Sequence, residues 1–419
     1  MKPLSPVTDS SALTASRPAN SLFMLYLLEG MTSISATLLN VGVFYYAVHE
    51  WKWQARHNLV LSMAFNAVYM VGALSAGHVT HRFGRRMTLA VGAALSAATA
   101  LAAGAFNASL PSAALIIFYS GLVSFFWPAI SSLVSNNGPH EGMSRRLGIY
   151  NLVWAGTFAV SVAMTGTIIK LAPMLLFAIP VVLHGLIAIL AMTRIREMPD
   201  GVADAADDAP QPEPALLHQR TLALWLSRIA LPGTFILTSS LWAMFPLLPS
   251  VRELDPVVKT IVTSVILIAR VLAFAVLTFT IAWHSRPRLL LTATIVILMA
   301  YLGITIRPSD LLGGDISMRV DLISLIFWQI VAGVCLGLIY SASLYFGMVL
   351  SRGSARQGGY HESLIGLGGV IGPGIAAAVQ WQYPGNIRAG ITPVVILMLF
   401  IIAACIGVTI RFGTRKSEN

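Results

Sequence analysis

Glu29 is the carboxyl best placed to do chemistry in this sequence. It falls about eight residues into an apolar run, and Ser33, Thr37 and Asn40 follow it at helical spacing, giving one helix face a polar stripe. A carboxyl so placed can exchange a proton or contact a substrate, although a structural ion pair or a hydrogen-bonded helix contact would use the same position. Arg270 lies in the middle of another apolar run. An arginine keeps its charge, so it needs a carboxylate, carbonyls or water. It could grip an anionic substrate group, pair with Glu29, or belong to a fixed structural pair. His361 and Glu362 open a further run, and Tyr150, Asn151 and Trp154 stand near the equivalent place in the first half of the chain. Cavity, gate and helix-capping roles all remain open for them. Tyr119 and Trp127 sit near Ser131, Ser132 and Ser135, while Gln329 and Tyr340 sit near Ser341, Ser343 and Tyr345. Rings beside hydroxyls suit an amphiphilic organic molecule, and they also pack helices. Arg228 reads as a snorkelling residue at a helix end, and the isolated His184 as structural.

Other chemistries lack their parts. No second histidine follows Glu362 at the spacing a zinc protease needs, and no metal-ligand set is visible. Cys335 and Cys405 lie inside apolar runs, so neither a disulfide nor a metal site is expected. The glycines from Gly366 to Gly374 are surrounded by apolar helix, whereas a nucleotide loop follows a strand and faces water. They suit close helix packing with a bend at Pro373. The scattered Ser and His residues form no nucleophile with a positioned base. An enzyme is not expected, and neither is a cofactor.

The elements that must position these residues follow from composition. Of 419 residues, 56% are hydrophobic and only 11% charged, against about 45–50% and about 25% in soluble domains. Twelve apolar runs, each near the ~20 residues of a membrane-spanning helix, fall at about 21–48, 58–80, 86–107, 111–135, 146–170 and 172–194, then 221–248, 257–283, 287–306, 319–350, 357–382 and 388–412. The expected fold is an all-α membrane protein of twelve transmembrane helices in two pseudo-symmetric six-helix bundles. The bundles are 21–194 and 221–412, with a tail at 1–20, a linker at 195–220 and a short tail at 413–419. Asp200, Asp204, Asp207, Asp208 and the prolines between Pro210 and Pro214 give the linker its polarity. The first run follows a polar tail with no cleavage-type pattern and is expected to remain as a spanning helix.

The net charge of +10 comes from basic residues placed singly or in pairs between runs, not in a nucleic-acid-binding face. Seventeen of the 27 lie on the side that holds both termini and eight on the other. The positive-inside rule makes the first side cytoplasmic. A repeat supports two halves: Arg146, Gly148 and Tyr150 recur as Arg356, Gly358 and Tyr360, and the same offset relates Gly156 to Gly366.

The loop after the second run reads Gly77-His78-Val79-Thr80-His81-Arg82-Phe83-Gly84-Arg85-Arg86. It resembles the signature loop of the major facilitator superfamily, matching at Gly77, Arg82, Gly84, Arg85 and Arg86. His81 stands where the family carries Asp, and the second-half counterpart around Arg286 and Arg288 loses its glycines. The fifth run also lacks the glycine-proline pattern of some proton-coupled exporters of the superfamily. With twelve spans and a central linker, the resemblance extends over nearly the whole chain. It implies alternating access about a central site, with this loop, Arg146 and Arg356 at the cytoplasmic gate. The expected function is secondary active transport of a small organic solute, coupled to protons through Glu29, by a monomer in a bacterial-type inner membrane. A lipid or lysolipid flippase and a non-transporting ligand sensor are the alternatives. The expected partners are the solute, protons and the lipid bilayer, with no nucleic acid.

Overall fold

The computed structural model describes residues 20–106, 108–138, 142–197, 214–312, 317–351, 353–384 and 386–414. The tail at 1–19, the acidic and proline-rich part of the linker at 198–213, and 415–419 lie outside the described residues. Among the described residues, twelve helices are long and apolar enough to cross a membrane. They are α1 (Leu22–His49), α2 (Ala55–Phe83), α3 (Arg85–Ala105), α4 (Ser109–Ser135), α5 (Met143–Leu171), α6 (Leu175–Arg194), α7 (Ala215–Leu247), α8 (Pro256–Phe279), α9 (Arg288–Thr305), α10 (Met318–Leu350), α11 (Ala355–Gln382) and α12 (Ile391–Phe412). Each falls on one of the twelve apolar runs. The seventh starts early, because helical structure begins at Pro214, inside the segment assigned to the linker. Proline suits a first helical turn, and Ala215-Leu216-Leu217 then continues the helix without a breaker.

Helices α1–α6 pack on one another, as do α7–α12. The two halves meet chiefly through α2 against α11 and α5 against α8. These pairs exchange under the pseudo-two-fold relation that the sequence repeat implies. The glycines of α11 make the first contact possible. Gly359 lies on the backbone of Ala73, Gly366 on Met70 and Gly369 on Asn66, while Gly368 and Gly372 turn to Pro232 and Ile236 of α7. Without hydrophobic drive between helices in lipid, such close approach supplies the packing. Residues such as Leu272, Val276 and Phe400 point outward on the lipid-facing surface.

Two irregularities shape the middle of the molecule. α1 passes through a π-turn at Leu38–Gly42, which re-aims Asn40 relative to a regular helix. α4 breaks at Ser124–Phe125, separating Ser109–Val123 from Phe126–Ser135.

Candidate functional site: a cavity between the bundles

A cavity of about 120 Å³ lies between the two halves. Ser33, Thr37 and Asn40 of α1 reach it together, so the polar stripe of the first helix faces inward. Trp127, Trp154, Tyr340 and Glu362 also line it. The rest of the wall includes the rings of Phe44, Phe65, Phe158, Phe235 and Trp242.

Glu29 sits one turn before Ser33 and is fully buried. Its Oε1 accepts bonds from Ser33 Oγ at 2.9 Å and Trp127 Nε1 at 3.1 Å, while Oε2 is buried without a hydrogen-bond partner. Tyr150 is buried close beside it. Glu362 faces the cavity from the other half and accepts a 2.6 Å bond from Tyr69 Oη. Tyr69 and its stripe-mates Ser62 and Asn66 were not singled out in the sequence, though all three line the cavity. Their spacing along α2 is the signal that could have found them.

Arg270 and Glu29 do not pair. The guanidinium is fully buried behind the cavity wall, 4.3 Å from the Trp154 ring centroid and 5.1 Å from that of Phe158. Gln329 is likewise fully buried and lies off the cavity, with neither amide atom partnered. Tyr119 turns away to α6, where its hydroxyl meets His184 Nε2 at 2.7 Å. That bond joins α4 to α6 within the first bundle. Asn151 borders a smaller pocket with Gly148, Thr278 and Tyr345. His361 packs edge-on to Tyr340, and its Nδ1 is 2.9 Å from Ser343 Oγ. Arg228 is more enclosed than a snorkelling residue: it donates to Gln357 Oε1 and lies over the Tyr360 ring.

Contacts join the two halves at both ends of the molecule. At the end carrying the termini, Gly353 O accepts from Ser132 Oγ and Asn136 Nδ2, each at 3.1 Å. Gly77 packs against Arg356, whose Nε donates to Tyr360 Oη at 2.8 Å. Arg146 ties down the end of α4 by donating to Val134 O and Ser135 O. At the far end Tyr45 bonds Thr263, Asn58 Nδ2 donates to Ala243 O at 3.2 Å, and Lys170 pairs with Asp255 at 3.0 Å.

In the signature-like loop, His81 and Arg82 are exposed. Gly84 has φ +83°, ψ +155°, a conformation open essentially to glycine alone. Beyond it the backbone N–H groups of Arg85 and Arg86 donate to the Glu197 carboxylate at 3.1 and 2.7 Å. Glu197 thus places negative charge at the start of α3, where the helix dipole favours it. It sits at the edge of the predicted linker, and nothing in its local sequence marked it.

The profile of the Major Facilitator Superfamily matches residues 22–373. The chain belongs to this superfamily and is a secondary transporter of the MFS fold, a family generally without enzymatic activity. No curated protein matches significantly. Among solved structures, a bacterial homologue of the human lysosomal transporter Spinster, in an inward-facing and occupied conformation, aligns at TM-score 0.67 and 13% identity. That alignment covers 93% of this chain and 96% of the other. The nucleoside transporter NupG aligns at TM-score 0.61 and 15% identity, over 94% of this chain and 98% of its own. These identities establish a shared fold only.

Proposed function

We propose that this protein moves a small organic solute across a bacterial-type inner membrane by alternating access, driven by protons carried on Glu29. The observation that supports this most is the Glu29 carboxyl, fully buried beside the inter-bundle cavity with Oε2 in no close hydrogen bond. An ionised group in such surroundings is costly, so a proton is the natural partner for that oxygen. As the bundles rock, the carboxyl meets first one aqueous face and then the other, and can load and release that proton. The cavity is close in size to the ~150 Å³ space that admits one benzene molecule, which supports a solute with a compact apolar body. The side holding the termini, Gly77, Gly353 and Arg356 is the cytoplasmic gate in this reading.

The test begins with a thermal-stability screen of organic acids, lipophilic cations, nucleosides, sugars and lysolipids. A compound that binds the folded state raises its melting temperature. Uptake of the stabilising compound into proteoliposomes is then measured with and without an imposed pH gradient. Wild type should accumulate it only with the gradient. Glu29→Gln should keep counterflow exchange and lose accumulation by tenfold or more. Undiminished accumulation in Glu29→Gln would end the assignment of the coupling proton to Glu29.

A further inference from the structure

Arg270 is the largest fully buried side chain in the described structure, and its Nε, Nη1 and Nη2 all lack a hydrogen-bond partner. A structural arginine at this depth would ordinarily have a carboxylate or carbonyls to receive its N–H groups, because an uncompensated buried charge is strongly destabilising. Here it has ring faces instead. The buried carboxyls of Glu29 and Glu362 bond other groups, Glu29 with Ser33 and Trp127, and Glu362 with Tyr69.

The position is also built. α8 crosses α10 where α10 carries Gly333 and Gly337, and a Cβ on Gly333 would press on Ile266 O, with Arg270 N only 3.0 Å away. The crossing fixes the root of the arginine. The Trp154 ring covers its head and stacks on Tyr340 at 4.8 Å and 11°. Trp154, Phe158 and Tyr340 all line the central cavity, so one layer of rings separates the unpaired guanidinium from it.

We infer that Arg270 is an anion subsite of the central cavity, uncovered when the Trp154 ring swings aside, and that the solute carries a carboxylate on a compact aromatic or apolar body. The inference rests on the cavity being the solute site. A guanidinium fork receives a planar carboxylate through two parallel N–H bonds, and the aromatic wall accommodates the rest of the molecule.

The probes are benzoate and its neutral near-isostere benzamide, tested on the full-length purified protein without any gradient. Benzoate should raise the melting temperature of wild type, and benzamide should need at least tenfold higher concentration for the same rise. Arg270→Gln should bring benzoate down to the level of benzamide. Arg270→Lys, which keeps the charge and loses the fork, should lose most of the preference too. Equal effects of the two probes on wild type would overturn the inference, as would no response to benzoate at ~10 mM, a concentration at which even millimolar binding stabilises measurably. So would a preference that survives in Arg270→Gln. If that variant does not fold, the wild-type comparison and Arg270→Lys still decide. Binding needs no proton gradient, so a Glu29→Gln variant that keeps gradient-driven uptake would refute the coupling assignment and leave this one standing.

Discussion

The hydroxyl of Tyr69 joins α2 of one bundle to Glu362 of the other across the cavity, at 2.6 Å. Removing it leaves a buried carboxylate oxygen short of a donor, a loss worth about 1–3 kcal/mol. Tyr69→Phe should therefore lower thermal stability, and so should Glu362→Met, which removes the acceptor and leaves the Tyr69 hydroxyl unpaired. The double variant should lose clearly less than the sum, because one bond is being removed twice; additive losses in a thermal-melt cycle would show that the contact contributes nothing. The half of this pair on α11 was legible, since Glu362 is an acid that opens an apolar run beside His361. Tyr69 was not, because its importance comes from a partner 293 positions away. Tyr119 and Trp127 show the complementary difficulty. They share a helix and a type, yet the break at Ser124–Phe125 intervenes, leaving Trp127 on the cavity and Tyr119 on His184.

Periodicity and apolar length made all twelve spans readable, with differences of a few residues at their ends. What sequence did not expose was the geometry between elements. The π-turn of α1 and the fit of Gly369 against Asn66 depend on neighbouring helices. Gly369→Val should force Asn66 aside or part α2 from α11, costing about 1–3 kcal/mol as overpacking does. Reduced melting temperature with reduced exchange is expected; an unchanged protein would mean the α2–α11 approach is not fixed here. The connection from α8 to α9 makes a second element-level prediction. His284 stacks on Tyr345 of α10 at 4.3 Å and 9°, and burial, helped by the Arg220 charge, pushes its pKa down to about 4. The unfolded chain binds this proton near 6.5, so the stabilising contribution is intact above that pH and fades as pH falls towards about 4. His284→Phe keeps a stacked ring without the titration. It should remove up to ~2 kcal/mol of the acid-side loss, a figure reduced for the ring's partial exposure. Parallel melting curves for variant and wild type between these pH values would contradict it.

At the scale of the whole molecule, alternating access requires the two halves to part at one end while staying together at the other. The structure has contacts at both. Tyr45–Thr263, Asn58–Ala243 and Lys170–Asp255 hold the far end, and Ser132, Asn136 and Gly353 hold the end with the termini. None of these bridges is large by itself, as the proposed alternating access would need. An approach suitable for a lock lies between Gly77 and Arg356, where a Cβ on Gly77 would lie 3.4 Å from the Arg356 Cβ. A disulfide needs about 3.5–4.5 Å between Cβ atoms, so Gly77→Cys with Arg356→Cys should cross-link after a small adjustment. The native Cys335 and Cys405 are buried and should not compete for the bridge. Oxidation should stop exchange across proteoliposome membranes by tenfold or more, and reduction should restore it, while either single variant should be insensitive to oxidant. Because the bridge joins α2 to the start of α11 and touches neither Glu29 nor Arg270, its effect reads the motion of the bundles separately from the chemistry of the site. Full exchange in the oxidised, verified cross-link would mean that solute passes without the halves separating at this end, and the rocking mechanism would have to be abandoned for this protein.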